Sequence, residues 1–456
     1  MKSLFSWLGG TPPSDIDRRI AAEMGEASMA RYRVQAKSLP AYRFVDLSHA
    51  VEDFCQDRAG VRRIESEHAE DLNAILHGEA QQWSPRTIRR SGTTAWPVSA
   101  EEEIYLPLDR FWLCPASGPA ADDGLIFRLR YNAYQEVAMV EVAAARPALG
   151  EDSLGGILDR SIAQSIYRNE ILELTFESGT KDEYGDVEKP DRFRILFKRH
   201  EPVEDGDIVI DEDVRRILWR NVVDLHHRRD ILKANRVPVR RGVLLYGPPG
   251  TGKTFACRYL CSKLAATTRI MVTGTALLKV GQIFSLARML QPALVILEDV
   301  DLVFASREIN LYSSVLGDLL DQMDGLRPYE DVGILLTTNS IDRMEAAIKD
   351  RPGRVSQCIY FGPPNAKLRK RYLAHYLRAY DASKLTLDSL VADSDGTTQA
   401  FLKEWVHRAV QIGCERLEDE SGQVALRDED FRDALGEMKQ FSEGSTGQII
   451  GFHGSR

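Results

Sequence analysis

The stretch Gly247-Pro248-Pro249-Gly250-Thr251-Gly252-Lys253-Thr254 constrains this chain more than any other. It fits the pattern GxxxxGK[ST], follows the short apolar run Arg241–Tyr246 and precedes a helical segment, which is the strand–loop–helix context such a loop requires. Glycines let successive backbone N–H groups converge on phosphate oxygens, and the following helix adds the positive end of its dipole. Lys253 then supplies a point charge for β- and γ-phosphates, and the Thr254 hydroxyl is placed to ligate Mg²⁺.

A phosphate site also needs acids. The apolar run Leu294–Leu297 ends in Glu298-Asp299, with Asp301 two residues on. Carboxylates at the carboxyl end of a parallel strand face the ligand crevice of an open α/β sheet. Leu335-Leu-Thr-Thr-Asn339 ends the next apolar run with an amide suited to holding a water in line with a γ-phosphate. Arg351-Pro-Gly-Arg354 puts two guanidinium groups on a rigid turn, read either as outward-reaching cations or as two solvated charges.

The runs 241–246, 270–273, 294–297 and 332–337 are nearly continuous in apolar residues and are separated by helical segments. Strands that read this way are buried on both faces of a parallel sheet. The expected fold class is therefore α/β, a phosphate-loop parallel sheet with helices on both faces. Residues 206–361 are expected to form that large domain, and 362–456 a C-terminal helical lid and tail. Residues 1–205 read as a mixed α+β region, possibly two units by length, with helices over 16–37 and 47–81 and strands from about 104 to 200. The charged stretch Glu177–Asp191 is read as a loop between paired strands.

Net charge is −9 over 456 residues, which argues against a general binder of nucleic-acid backbones. No apolar run is long enough for a membrane span. Met1–Leu8 is too short for a secretory core and is read as a disordered or packed terminus. Six cysteines without a CxxC pair fit a reducing cytoplasm. Cys257 and Cys261, one helical turn apart, are read as core-facing thiols rather than metal ligands.

Together these motifs resemble the AAA ATPase family, from about Asp207 to Arg408. The resemblance rests also on Pro238-Val-Arg-Arg-Gly-Val-Leu-Leu-Tyr, Leu319-Leu-Asp-Gln-Met-Asp-Gly-Leu326 and Thr337-Thr-Asn-Ser-Ile-Asp-Arg343. The Arg240-Arg241 lead-in, Leu297-Glu-Asp-Val-Asp301 and Thr337-Thr-Asn339 are similar to the Bcs1-like subgroup, although that subgroup's N-terminal membrane helix has no counterpart here. There is no HExxH, which excludes the membrane-bound AAA proteases.

The resemblance implies a wedge-shaped α/β domain, a helical lid and a ring, usually of six subunits, with ATP between neighbours. It gives Lys253 and Thr254 the phosphate and Mg²⁺ roles, Glu298 the metal-binding acid, Asp299 the catalytic base and Asn339 the strand-end sensor. Glu298-Asp299 reverses the family's usual Asp-Glu order. Arg351 and Arg354 match fingers that reach a neighbour's γ-phosphate. Asp207 and Ile208 resemble the adenine-edge contact, and Gly396-Thr-Thr-Gln-Ala400 a degraded lid signature near the base. Lys279-Val280-Gly281 stands where chain-threading members carry an aromatic, an aliphatic and a glycine, so Lys279 either lines a pore or faces solvent on a helix. The expectation is a cytoplasmic, ring-forming, Mg²⁺-dependent ATPase that remodels or moves a protein client chosen by residues 1–205. A nucleotide-controlled assembly or signalling scaffold is the second reading. A nucleic-acid motor is the third, because Lys367-Leu-Arg-Lys-Arg371 reads as a solvated helix face.

Overall fold

The computed structural model describes residues 15–26, 29–77, 90–118, 121–181, 187–189, 191–199, 201–239, 241–301, 309–327, 330–341, 355–416 and 424–440. Met1–Leu8, Arg351 and Arg354 lie outside them. The chain divides into two compact units, one of residues 1–168 with 175–197, the other of 169–174 with 198–456.

The first unit is built on five antiparallel strands. In chain order its elements are α1 (Asp15–Met24), β1 (Arg33–Pro40), α2 (Phe44–Gln56), β2 (Arg62–Glu65), α3 (Leu72–His77) and the hairpin β3 (Thr93–Pro97) and β4 (Glu103–Pro107). Then follow β5 (Asp109–Cys114), β6 (Leu125–Asn132), β7 (Val137–Ala144) and α4 (Pro147–Ala163). The sheet order is β1-β7-β6-β5-β2. Successive side chains of a strand point to opposite faces, and β5, β6 and β7 are apolar on both. Trp112, Phe127 and Val140 pack against Phe44 and Leu47 of α2 and Ile157 of α4. Phe111, Ile126 and Ala143 face Ile16 and Ile20 of α1 and Leu72 of α3. On this second face Arg128 is fully buried and clamps Asp109 bidentately at 2.9 and 2.7 Å. A buried charge is tolerable when paired so completely.

The helices expected over 16–37 and 47–81 are thus interrupted by β1 and β2. Both strands pair with partners distant in sequence, β1 with β7 and β2 with β5. Pairing of that range overrides a local helical spacing.

Strand β8 (Ile171–Glu177) follows, then the short antiparallel pair β9 (Thr180–Lys181) and β10 (Val187–Lys189) inside the stretch read as a loop, and β11 (Arg192–Phe197). In the second unit come α5 (Glu212–Leu218), α6 (Asp224–His227), α7 (Arg229–Ala234), β12 (Arg241–Tyr246) and α8 (Lys253–Ser262). β13 (Thr268–Val272), α9 (Val280–Met289), β14 (Ala293–Leu297), α10 (Ile309–Asp324), β15 (Val332–Thr338) and β16 (Val355–Tyr360) complete its sheet layer. Strands β13, β14, β15, β12 and β16 neighbour one another in that order, all parallel. Crossover helices therefore cover the faces, and β13, β14 and β15 are buried at every residue. This is the α/β fold expected of a phosphate-loop domain. Ile171–Leu174 of β8 adds a further parallel strand outside β13. The sheet thus draws in residues that the sequence reading assigned to the N-terminal region 1–205.

Helices α11 (Ala366–Leu377), α12 (Leu387–Asp393), α13 (Gln399–Cys414) and α14 (Asp428–Gln440) follow, with a small parallel pair β17 (Asp381–Lys384) and β18 (Ala425–Arg427). They close around the buried Trp405, whose indole N–H donates to the Phe431 carbonyl at 2.8 Å. Among the described residues no helix is long and apolar enough to cross a membrane. Cys257 and Cys261 are both buried in the core beneath β12, and burial pushes the Cys261 thiol up to about 12.

Candidate functional site

The loop between β12 and α8 is held open by its glycines. Gly247, Gly250 and Gly252 have φ of 145°, 76° and 95°, values that side-chain-bearing residues rarely adopt. Gly247 is further constrained, since a Cβ there would lie 2.1 Å from the Phe361 carbonyl oxygen. The loop wraps around its own lysine. Lys253 Nζ donates to the carbonyls of Gly247 (2.7 Å) and Pro248 (2.9 Å), and Thr251 Oγ1 donates to Pro248 O at 2.8 Å. Burial lowers the pKa of Lys253, and the charges of Asp299 and Asp301 act to raise it.

The acids and the amide are stitched together at the carboxyl ends of β14 and β15. Asp299 adopts φ 48°, an uncommon conformation for a non-glycine residue and one that recurs at functional sites. Its backbone N–H donates to Thr337 Oγ1 at 2.9 Å, and Asn339 Nδ2 donates to its Oδ1 at 3.1 Å. Asp301 Oδ1 accepts from Thr338 Oγ1 and from the Asn339 backbone N–H, at 2.9 and 3.0 Å. Asp301 thereby sets the turn that aims Asn339 at Asp299.

Pro249, Gly250, Gly252, Lys253 and Thr254 line one cavity of about 410 Å³ together with Asp299 and Asn339. Ala400 of the lid lines it too, and its backbone N–H donates to Gly250 O at 3.0 Å. A second cavity, about 250 Å³, is lined by Ile208, Thr251 and Gly252 with the apolar Phe255 and Phe361. Asp207 lines neither; it pairs with Arg378 at 2.9 Å, which holds its carboxyl below the usual range. Glu298 also lines neither cavity. Its backbone N–H donates to Val272 O at 3.0 Å, while Oε1 is buried with no hydrogen-bond partner. Burial, and then the Asp299 charge, raise its pKa.

A buried carboxylate oxygen with no hydrogen-bond partner, such as Glu298 Oε1, is a group that suits a hard cation such as Mg²⁺. Among the described residues, no group of three or more His, Cys, Asp or Glu could hold a metal on protein ligands alone. Such a cation would need phosphate oxygens and water as further ligands.

Several lining residues escaped the sequence reading. Arg258 comes from α8, Tyr376 from α11 and Lys403 from α13; Gln399, also of α13, stood within the lid signature without a role of its own. Helical spacing carries the signal: Arg258 stands four residues after Thr254, and Lys403 three after Ala400. Applied outward from the recognised residues, that spacing finds Arg258 and Lys403.

Residues 243–363 match the family described as "ATPase family associated with various cellular activities (AAA)". The chain is 27% identical over 237 residues to the 26S proteasome regulatory subunit 8 homolog of Schizosaccharomyces pombe, covering 48% of this chain and 57% of that protein. It is 30% identical over 233 residues to 26S proteasome regulatory subunit 6A of Encephalitozoon cuniculi, covering 48% and 56%. Against the Cell division cycle protein 48 homolog of Archaeoglobus fulgidus, identity is 25% over 253 residues, covering 49% and 34%. The matched stretch thus spans between a third and somewhat over half of each relative. The family match begins within β12 and takes in β14 and β15, so the part of the chain that carries the site is similar to the ATPase domain of the AAA family.

Proposed function

We propose that this protein hydrolyses Mg·ATP between the subunits of a ring, six in the usual arrangement, and uses the cycle to remodel or move a protein client engaged through residues 1–205. The reading rests above all on one juxtaposition: Asp299 and Asn339, hydrogen-bonded at 3.1 Å, stand in the same cavity as Lys253 and Thr254. A carboxylate so held is oriented to take a proton from a water that the amide positions. Lys253 offsets charge on the β- and γ-phosphates, and Ile208 with the apolar cavity accepts the base. Mg²⁺, when held by Thr254 and Glu298, supplies charge neutralisation at the phosphates. Arg351 and Arg354 of a neighbouring copy would meet the charge that develops on the γ-phosphate.

The acids Leu297-Glu-Asp-Val-Asp301 support a place near the Bcs1-like subgroup, and the cysteine usage supports a cytoplasmic setting. The basic run 367–371 does not favour a nucleic-acid motor. Arg369 is buried and pairs with Asp395 at 2.8 Å, Lys370 with Asp388 at 2.6 Å, and Arg371 with Glu212 at 3.5 Å. The run was expected on a solvated face, and its central arginine is not. Processive threading is disfavoured as well. The connection after β13 folds as a 3₁₀ turn, Gly274–Lys279, and Val280 is only 5% exposed at the start of α9. A buried aliphatic side chain cannot grip a passing chain, which favours rearrangement of complexes or movement of a folded or acidic client.

The test is a pair of variants. Asp299→Asn is expected to keep ATP affinity and lose about 10²–10⁴-fold in turnover, the usual worth of a general base. Lys253→Ala is expected to lose ATP binding in a titration. Near-wild-type affinity in Lys253→Ala, or near-wild-type turnover in Asp299→Asn, would defeat the assignment.

A further inference from the structure

The two cavities share three lining residues: Gly252, Phe255 and Gln399. Gly252 has no side chain and that of Phe255 is apolar, so Gln399 brings the one polar side chain common to both. It opens α13 and overlies the phosphate loop, since a Cβ on Gly252 would lie 2.2 Å from Gln399 Oε1. Two tyrosines one turn apart on α11 hold the carboxamide. Tyr372 Oη lies 3.1 Å from Gln399 Oε1, and the Tyr376 hydroxyl also bonds the Gln399 side chain.

The Tyr372 hydroxyl has one proton for two acceptors, because it also donates to the Val209 carbonyl in a shorter contact. A carboxamide offers two N–H donors and two acceptor positions. The Tyr372 proton, shared between Val209 and Gln399, and the bond to Tyr376 use at most two of these four positions, so Gln399 keeps unused hydrogen-bonding capacity where the cavities meet. A nucleotide whose base fills the apolar cavity and whose outer phosphates reach Lys253 must place its sugar at that meeting point.

We propose that Gln399, fixed by Tyr372 and Tyr376, reads the ribose hydroxyls of the bound nucleotide and makes the site selective for ribonucleotides over deoxyribonucleotides. This inference rests on the reading of the site as an ATP site. Gln399 is assigned to positioning and specificity, not to the chemical step.

The test is calorimetric titration of the full chain with ADP, 2′-deoxyADP and 3′-deoxyADP, which report on binding without turnover. The unmodified protein is expected to bind ADP about three- to tenfold more tightly than at least one deoxy analogue, the worth of one hydrogen bond. Gln399→Leu, of similar volume, is expected to bind all three alike, at the weaker affinity. Tyr376→Phe, which frees the carboxamide, is expected to narrow the ratio. Gln399→Asn, whose shorter amide falls back from the meeting point, gives the same readout if the leucine variant does not fold. Equal binding of the three nucleotides by the unmodified protein would overturn the proposal, as would a ratio that survives in Gln399→Leu. Failure of the unmodified protein to bind ADP at all would instead overturn the ATP-site reading, and this proposal with it.

Discussion

Glu298 and Asp299 are adjacent in sequence and differ in every physical respect that matters to their chemistry. Asp299 lines the cavity and is hydrogen-bonded to Asn339; Glu298 is withdrawn and has an oxygen without a partner. Burial and the neighbouring Asp299 charge raise the Glu298 pKa. Its neutral form is thus favoured by the fold, and as pH falls it takes up a proton earlier than an ordinary carboxylate. If Glu298 holds the cation, the Mg²⁺ concentration needed for half-maximal ATPase should rise as pH falls from neutral, and Glu298→Gln should flatten that rise. Rate measurements against Mg²⁺ at several pH values decide it. Loss of hydrolysis in Glu298→Gln with unchanged Mg²⁺ dependence would reverse the roles of the two acids. The glycine loop was fully legible beforehand, because its chemistry ties residue type to a fixed local spacing. Tyr376 was not, because a lid helix brings it in from more than a hundred residues away.

Among the elements, the short helix α6 carries a group with a marked response to acid. His226 is buried, its Nε2 has no hydrogen-bond partner, and a Cβ on Gly333 of β15 would stand 2.8 Å from that atom. Burial lowers its pKa to about 4, with Asp331 opposing. The unfolded chain therefore binds the extra proton first, and stability falls as pH drops from about 6.5 towards 4. The loss is on the order of 3 kcal/mol at the bottom of that window. Urea midpoints at stepped pH should show it, and His226→Leu should flatten the slope. Parallel strands such as β14 and β15 were readable as continuous apolar runs because both their faces are covered. The strand β1 was not, since nothing within residues 33–40 announces a partner at 137–144. β16 also went unread; its alternation of half-buried and exposed residues carries little apolar signal.

For the whole molecule, the proposed ring makes each site the property of two copies. Arg351→Ala should bind ATP and hydrolyse it about 10³–10⁵-fold more slowly, as expected of a finger that meets charge in the transition state. Mixing it with Asp299→Asn should restore part of the rate, because some interfaces would pair an intact acid with an intact finger. No recovery at any ratio, with mixed rings shown to form, would place Arg351 within its own subunit's chemistry or outside it altogether.

The placement of Ile171–Leu174 beside β13 bears on how separable the ATPase is. A fragment beginning at residue 206 has the phosphate loop, both acids and the lid, yet it lacks the strand that caps β13. It would present an uncovered row of peptide groups flanked by Ile270 and Val272, the kind of open seam along which sheets stick to one another. Heredity faces the same restriction as the bench. Recombination at the obvious seam near 205 would deliver a sticky domain, so the segment around β8 must travel with the engine it seals.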